Sequence, residues 1–347
     1  MPQPAFYCSC LSWTVLCTAI IHYPGKGMKH SETTIAHLSD VHLAPLAGFW
    51  PHHWNAKRML GFANWAMRRR KSHLRAVVDM LVADLRHQSV DHVLVSGDLV
   101  NIGLPQEYEN ALTWLHALGT PDHVSVVPGN HDIYTRVRGH AGVGRWAAYM
   151  TSDSWGATMA PGRAPHFPYV RRIGDVALVG LNSAVPTPPG VASGELGTAQ
   201  IDACRKILHR LGEMPVFRLV MIHHPPLLSQ PQIHPARDLK DAAALEAMLV
   251  DVGAELVVHG HNHRDMVNWR DTATGPMPVV GIASGSIGRV HRFEPLARYN
   301  LYRIGGSKTE GWHVELTGRG IREPEGPVVQ VERRVLLPEP APERQVG

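Results

Sequence analysis

Aspartate, asparagine and histidine recur in five short blocks along the 347-residue chain: Asp40-Val41-His42, Gly97-Asp98, Gly129-Asn130-His131-Asp132, His223-His224-Pro225-Pro226 and Gly260-His261-Asn262-His263. None of them contains cysteine. Carboxylate, amide and imidazole make an oxygen and nitrogen donor set, suited to Mn, Fe or Zn and compatible with Ni or Co, but not a thiolate site. In D-x-H and H-x-H at the end of an extended run, residues i and i+2 point the same way, so both reach one cluster. Glycine before Asp98, Asn130 and His261 leaves room for a sharp turn and close backbone approach. A lone D-x-H arises by chance and a lone Gly-Asp is ordinarily a turn. Five such blocks in one chain ask for a common cause. No Ser-His-Asp or reactive Cys-His arrangement stands out, and the phosphate-cradling GxxxxGKS/T pattern is absent.

Each block follows a short run rich in Val, Ile and Leu. Strands are expected at 35–39, 92–96, 123–127, 176–181, 217–222, 256–259 and 279–283, as near-continuous apolar runs buried on both faces. Leu74, Val77, Val78, Leu81 and Leu85 share one helical face. Ile201, Cys204, Leu208 and Leu211 share another, with Thr198 as the expected N-cap and Gly212 as the stop. Asp238 is expected to open a helix with Leu245, Met248 and Leu249 inward, and Pro105 to start one ending near Gly119. Strands alternating with helices predict an α/β fold, in which ligands gather beyond the carboxyl ends of the strands, where the five blocks stand. After Pro276 the strands follow one another without helices, as in a sheet finished by antiparallel hairpins.

The AVILMFWYC set makes up 44% and charged residues 18%, which excludes disorder of the whole chain and a multi-span membrane protein. A net charge of +4 is too weak to argue for nucleic acid. Histidine is abundant, with 23 residues. His37 belongs inside the first strand, His52 and His53 read as solvated loop residues, and Cys204 as a core residue. Cys8, Cys10 and Cys17 cluster early and only Cys204 lies in the body, which reads as a reduced, cytoplasmic compartment. The apolar stretch 11–21 is too short to span a bilayer. Translation from Met28, or an untethered extension, is the plainer reading beside a membrane-associated segment or a cleaved signal. Residues 1–30 are therefore set apart as an N-terminal extension, and the Pro- and Glu-rich stretch 321–347 as a tail, mobile except where VVQV and RVLL pair locally.

The series D-x-H, G-D, G-N-H-D, His and G-H-x-H, in this order over residues 35–263, resembles the calcineurin-like metallophosphoesterases. The resemblance implies that residues 31–320 form a four-layer α-β-β-α sandwich with two mixed β-sheets and a two-metal centre. It implies that Asp40, His42 and His263 hold one ion, that Asp98 bridges, and that Asn130, His223 and His261 hold the other. His223 is preferred to His224, which is left a packing role, because the family's ligand stands two residues before a proline. His131 would act as acid or transition-state stabiliser, with Asp132 orienting its ring. Two divalent or mixed-valence ions (Mn, Fe or Zn) acidify a bridging water and clamp the phosphoryl oxygens for in-line attack. Asn101 either positions substrate or caps a turn.

Between Asp40 and Asp98 the chain carries extra length at 44–71, with Trp50, Trp54, Met59, Leu60, Phe62, Trp65 and Met67 before Arg68-Arg69-Arg70-Lys71. Three readings stand: a helix packing its aromatics on the domain, a lid or membrane-surface helix in which 57–71 meets anionic lipid on the inner membrane, or a single-strand-binding patch. The wording HLSD-x-HL, SGDL and VPGNHD resembles the cyclic-nucleotide phosphodiesterase branch, although Ile133-Tyr134-Thr135-Arg136 departs from that branch. The insert points instead to a lipid-linked nucleotide diphosphate such as UDP-diacylglucosamine. A phosphodiester or pyrophosphate bond is favoured over a monoester. An inactive scaffold and a nuclease are the alternatives; the full ligand set argues against the first, and the lack of a large basic cleft or added nucleic-acid domain against the second.

Overall fold

The computed structural model describes residues 32–46, 48–136, 139–160, 166–227, 236–290 and 294–338. The expectations for residues 1–30 lie outside them. β1 (Thr33–Leu38) leads to α1 (Ala56–Asn64), a π-turn at Trp65–Arg69 and the short α2 (Arg70–Ser72). Then come α3 (Arg75–Leu85), β2 (His92–Val95), α4 (Pro105–Leu118) and β3 (Val124–Val126). The second half runs through β4 (Tyr169–Ile173), β5 (Val176–Gly180), α5 (Thr198–Gly212), β6 (Phe217–Met221), α6 (Ala242–Val252) and β7 (Leu256–His259). It ends with β8 (Met266–Thr272), β9 (Gly275–Gly281), β10 (Arg298–Ser307), β11 (Gly311–Ile321) and β12 (Val328–Leu337).

Two mixed six-stranded sheets result, ordered β12-β11-β10-β1-β2-β3 and β4-β5-β6-β7-β9-β8. The strand alternation assigns their faces. Val176, Leu178, Leu219, Met221, Leu256 and Val258 enter the core shared with the first sheet and with Val78, Leu81 and Leu115 of α3 and α4. Their neighbours Ala177, Val179, Val220 and Val257 pack instead on Ile201, Cys204 and Leu208 of α5 and on Leu245, Met248 and Leu249 of α6. This is the α-β-β-α sandwich. Every strand expected from its apolar run is present, and the strands that deliver the blocks are parallel within their sheets: β1, β2 and β3 in one, β6 and β7 in the other.

The differences sit at edges and helix starts. β4 and β8 are edge strands carrying Arg171, Arg172, Asn268, Arg270 and Asp271, so they lack an apolar run. The stretch set apart as a tail, in which VVQV and RVLL were expected to pair locally, contributes a single strand β12 that holds both, antiparallel to β11, with Leu336 and Leu337 buried and Arg333 and Arg334 exposed. α6 starts at Ala242 rather than Asp238, and α5 starts at Thr198 itself, with Gly197 at the N-cap. The carboxylate of Asp241 ties these two starts together by accepting the N–H groups of Leu196 and Gly197 at 2.9 and 2.7 Å. Among the described residues, no helix is long and apolar enough to cross a membrane.

Candidate metal centre

The five blocks leave β1, β2, β3, β6 and β7 at one rim, stitched by main-chain bonds. Asp40 N–H donates to Gly97 O at 2.9 Å, His42 N–H to Asp98 O at 3.0 Å, and Gly260 N–H to His223 O at 3.1 Å. Six non-glycine residues among those described have positive φ, and five of them belong to the blocks: Asp40 (51°), His42 (37°), Asp98 (55°), His261 (69°) and His263 (52°). Left-handed backbone costs such residues about 1–3 kcal/mol each, and strain of this kind gathers where function requires it. The packing is equally close. A Cβ on Gly129 would lie 2.2 Å from Asp98 Oδ1.

Hydrogen bonding fixes which atom of each side chain is left over. His42 Nδ1 contacts Val100 O at 3.2 Å, His223 Nδ1 contacts Ser96 O at 2.7 Å and His261 Nε2 contacts Arg237 O at 2.9 Å. A carbonyl only accepts, so each of these nitrogens carries the proton and the opposite nitrogen presents a lone pair. Those lone pairs meet other acceptors. His223 Nε2 and His261 Nδ1 lie 3.2 and 2.9 Å from Asn130 Oδ1 and 3.3 Å from each other. His42 Nε2 is buried without a hydrogen bond, 3.8 Å from Asp98 Oδ2.

The carboxylates divide in the same way. Asp40 Oδ2 accepts from Ser39 Oγ at 2.6 Å and His261 N–H at 3.0 Å, while its buried Oδ1 has no hydrogen bond and faces His263 Nε2 at 3.2 Å. Asp98 Oδ1 accepts the His131 N–H at 2.7 Å, which leaves Oδ2 between His42 and His223, 3.6 Å from His223 Nε2. Acceptor facing acceptor in a buried site is satisfied by a cation, and backbone partners on the far nitrogens are how metal-binding histidines are oriented. The residues fit a metal: Asp40, His42 and His263 form one group with ligand atoms within 4.8 Å of one another, and Asp40, Asp98 and His223 form another that shares Asp40.

Electrostatics agrees. Burial, and then the Asp40 carboxylate, push Asp98 up to about 8. Burial works to lower His263, but the Asp40 and Glu294 carboxylates outweigh it and hold the ring at about 9.

His131 and Asp132 play different parts from each other. His131 lies beside Asp98 and His42, and its Nδ1 donates to Asn101 O at 2.5 Å. Asp132 does not touch that ring. Its carboxylate accepts the N–H groups of Asp98, Leu99, Val100 and Gly129 at 2.8 to 3.1 Å. The resemblance implied the orienting role; the backbone turn sends the two side chains apart. Asn101 is buried, with its side-chain NH2 donating to Leu43 O at 3.2 Å, its Oδ1 unpartnered and its main-chain O facing His131 Nδ1. His224 is grouped with His223 and His261 by proximity, but its ring nitrogens are engaged with Ser183 Oγ at 2.8 Å and Ala192 O at 3.1 Å. His37 is buried in β1, His52 is exposed and His53 bonds Gly48 O at 2.8 Å. Several residues at the site were not anticipated, Glu294 beside His263 Nδ1 at 3.2 Å among them. Tyr134 stacks on His131 with ring centroids 5.4 Å apart, and Arg69 reaches His131 from the insert. The basic run at 68–71 was visible; which of its members turns inward was not.

The family model for calcineurin-like phosphoesterases matches residues 33–265, which contain all five blocks. Over 193 residues the chain is 30% identical to a probable cyclic nucleotide phosphodiesterase of Synechococcus sp., a match covering 55% of this chain and 65% of that relative, just under two thirds of its length. A dimetal phosphatase from Danio rerio superposes with a TM-score of 0.56 at 15% identity, covering 86% of this chain and 98% of that one. The purple acid phosphatase PPD1 from yellow lupin (Lupinus luteus) seeds gives 0.50 at 12% identity, covering 84% and 52%. At such identities the two structures speak for the fold alone. The sequence match over the block-bearing core is what assigns the chain, and it belongs to the calcineurin-like phosphoesterase family.

Proposed function

We propose that the protein is a metal-dependent hydrolase of a phosphodiester or pyrophosphate bond. The observation that carries this is the set of acceptor atoms of His42, His223, His261, Asn130, Asp40 and Asp98, turned toward one another in one buried space. Two divalent ions supply Lewis-acid polarisation of a phosphoryl oxygen and a water acidic enough to attack at neutral pH. Asp40, His42 and His263 would hold one and Asn130, His223 and His261 the other, with Asp98 serving both. His131, held by Asn101 O and backed by Tyr134, faces the same space and serves as acid or stabiliser of the phosphoryl oxygens. Asp132 positions the backbone beneath Asp98.

A cyclic nucleotide is the first substrate reading, supported by the relationship to the Synechococcus protein. A lipid-linked nucleotide diphosphate such as UDP-diacylglucosamine is the second, supported by the insert. Five of the seven exposed large apolar residues among those described, Trp50, Trp54, Met59, Leu60 and Met67, lie there, with Trp50 and Met67 64% and 67% exposed. Arg68, Arg70 and Lys71 are exposed beside them, a pattern that fits peripheral contact with an anionic membrane. The deciding experiment gives the purified protein Mn²⁺ and compares a generic phosphodiester, a phosphomonoester, cyclic AMP and UDP-diacylglucosamine. Cleavage of the monoester alone overturns the bond assignment, and the two nucleotides separate the substrate readings.

A further inference from the structure

The insert is fastened over the rim of the site. Arg58 donates to the carbonyls of Ile102 at 3.2 Å and Gly103 at 2.5 Å. Lys57 Nζ reaches across to Thr187 Oγ1 at 2.7 Å and sits 4.5 Å above the Tyr134 ring. At the far end His73 Nδ1 meets Ser286 Oγ at 2.7 Å. Between these anchors the helix passes through the π-turn Trp65–Arg69. A π-turn widens the helix locally and shifts the side chains after it out of regular register. Arg68 and Arg70 accordingly face solvent, whereas Arg69 is half-buried.

Arg69 Nη1 donates to His131 Nε2 at 3.0 Å, the acceptor nitrogen left once Nδ1 has given its proton to Asn101 O. Its Nε and Nη2 groups make no hydrogen bond, and no carboxylate lies within ion-pair distance of it, among the described residues. Asp98 attracts it at longer range, yet the free oxygen of Asp98 faces the metal-binding imidazoles. A guanidinium turned toward the site with a neutral ring as its direct partner keeps donors free for an anion. The planar fork of arginine matches two oxygens of a phosphate.

We propose that Arg69 is a substrate-binding residue whose guanidinium takes the non-bridging oxygens of the phosphoryl group placed at the metal centre. This rests on the phosphoester reading above, and it adds a subsite that comes from the insert rather than from the five blocks. In the free protein the fork rests on His131. With substrate bound, its unused donors turn to the phosphoryl oxygens.

The test uses the full chain loaded with Mn²⁺ and inorganic phosphate as the probe. Arg69→Met keeps the apolar stem and removes the charge; Arg69→Lys keeps a cation without the fork. Metal content is measured for each, phosphate affinity by calorimetry, and kcat and KM on a generic phosphodiester. The proposal expects both variants to keep the wild-type metal content, phosphate affinity to fall about tenfold or more in Arg69→Met, Arg69→Lys to lie between, and kcat/KM to follow the same order. Wild-type phosphate affinity in metal-loaded Arg69→Met overturns it. If Arg69→Met fails to fold, Arg69→Lys decides, and full wild-type affinity there refutes the fork. A wild type that cleaves no phosphoester but loses phosphate binding in the variants sinks the functional reading and leaves the subsite. A wild type that cleaves phosphodiesters with Arg69 irrelevant to phosphate does the reverse.

Discussion

The Asp132 carboxylate accepts the main-chain N–H of Asp98 at 2.8 Å, joining two loops that lie 34 positions apart in sequence. The same carboxylate gathers three further N–H groups, from Leu99, Val100 and Gly129. Four donors converging on one buried anion hold the left-handed turn that aims Asp98 at the imidazoles. Asp132→Asn places an NH2 group against those donors. The expected result is a loss of about 1–3 kcal/mol of stability and a fall of roughly 10–100-fold in metal affinity, as for a residue that supports a ligand. Denaturant unfolding and Mn²⁺ titration check both. A variant that binds metal normally and loses only turnover restores the ring-orienting role expected from sequence.

His131 is expected to behave in the opposite way. It touches Asp98 only through its main-chain N–H, and its ring is held by Asn101 O rather than by a ligand. His131→Ala therefore keeps the metals and slows turnover by about 10²-fold or more, the range of a positioned acid. Single-turnover rates beside metal analysis are the measurement. Loss of metal in this variant would assign His131 to the ligand set, where its proximity to His42 and Asp98 also places it.

Much of this centre is legible in sequence because the chemistry is local: each block follows a strand whose apolar run is continuous, and D-x-H or G-H-x-H needs little beyond the strand end to aim its side chains. What escapes is non-local. Asp132 and His131 are neighbours in sequence but diverge in space. Arg69 meets His131 across 62 positions, through a π-turn that no composition rule marks. β12 was legible in part: VVQV and RVLL were expected to pair locally, while Glu332, Arg333 and Arg334 between them hid that the two form one edge strand on β11.

Asp84 on α3 offers a stability prediction far from the blocks. Arg319 on β11 grips its two oxygens at 2.7 Å each, and Tyr299 on β10 donates at 2.6 Å. Burial pushes the carboxyl up, but these hydrogen bonds outweigh burial and leave it below its ordinary value. A carboxylate depressed in the folded state contributes stability that is fully present above its unfolded pKa of about 4 and is lost as pH falls through the lower folded value. Asp84→Asn is expected to cost about 1–3 kcal/mol at pH 7. Wild type and variant should converge as the pH is lowered below 4, in urea unfolding at a series of pH values. A constant gap across that range would mean that packing, not charge, carries the contact.

The outer face of the insert gives the last prediction. Met59, Leu60 and Met67 are exposed on the helical stretch that begins with α1, and Arg68, Arg70 and Lys71 are exposed at its end. Apolar side chains that enter the headgroup region beside cations bind anionic lipid by both terms, with each basic residue worth about 1 kcal/mol near a charged surface. Arg69 is left out of the substitution because it faces His131, so Arg68, Arg70 and Lys71 changed to Gln should leave hydrolysis of a soluble phosphodiester unchanged. The expected result is weaker co-sedimentation with phosphatidylglycerol vesicles and no change with phosphatidylcholine. Met59→Ser and Met67→Ser should weaken it further, because they remove apolar surface and leave the charge alone. Wild-type protein that never sediments with phosphatidylglycerol vesicles rules the contact out. The apolar face then belongs with the substrate's own acyl chains, and cleavage of UDP-diacylglucosamine should respond to the methionine substitutions instead.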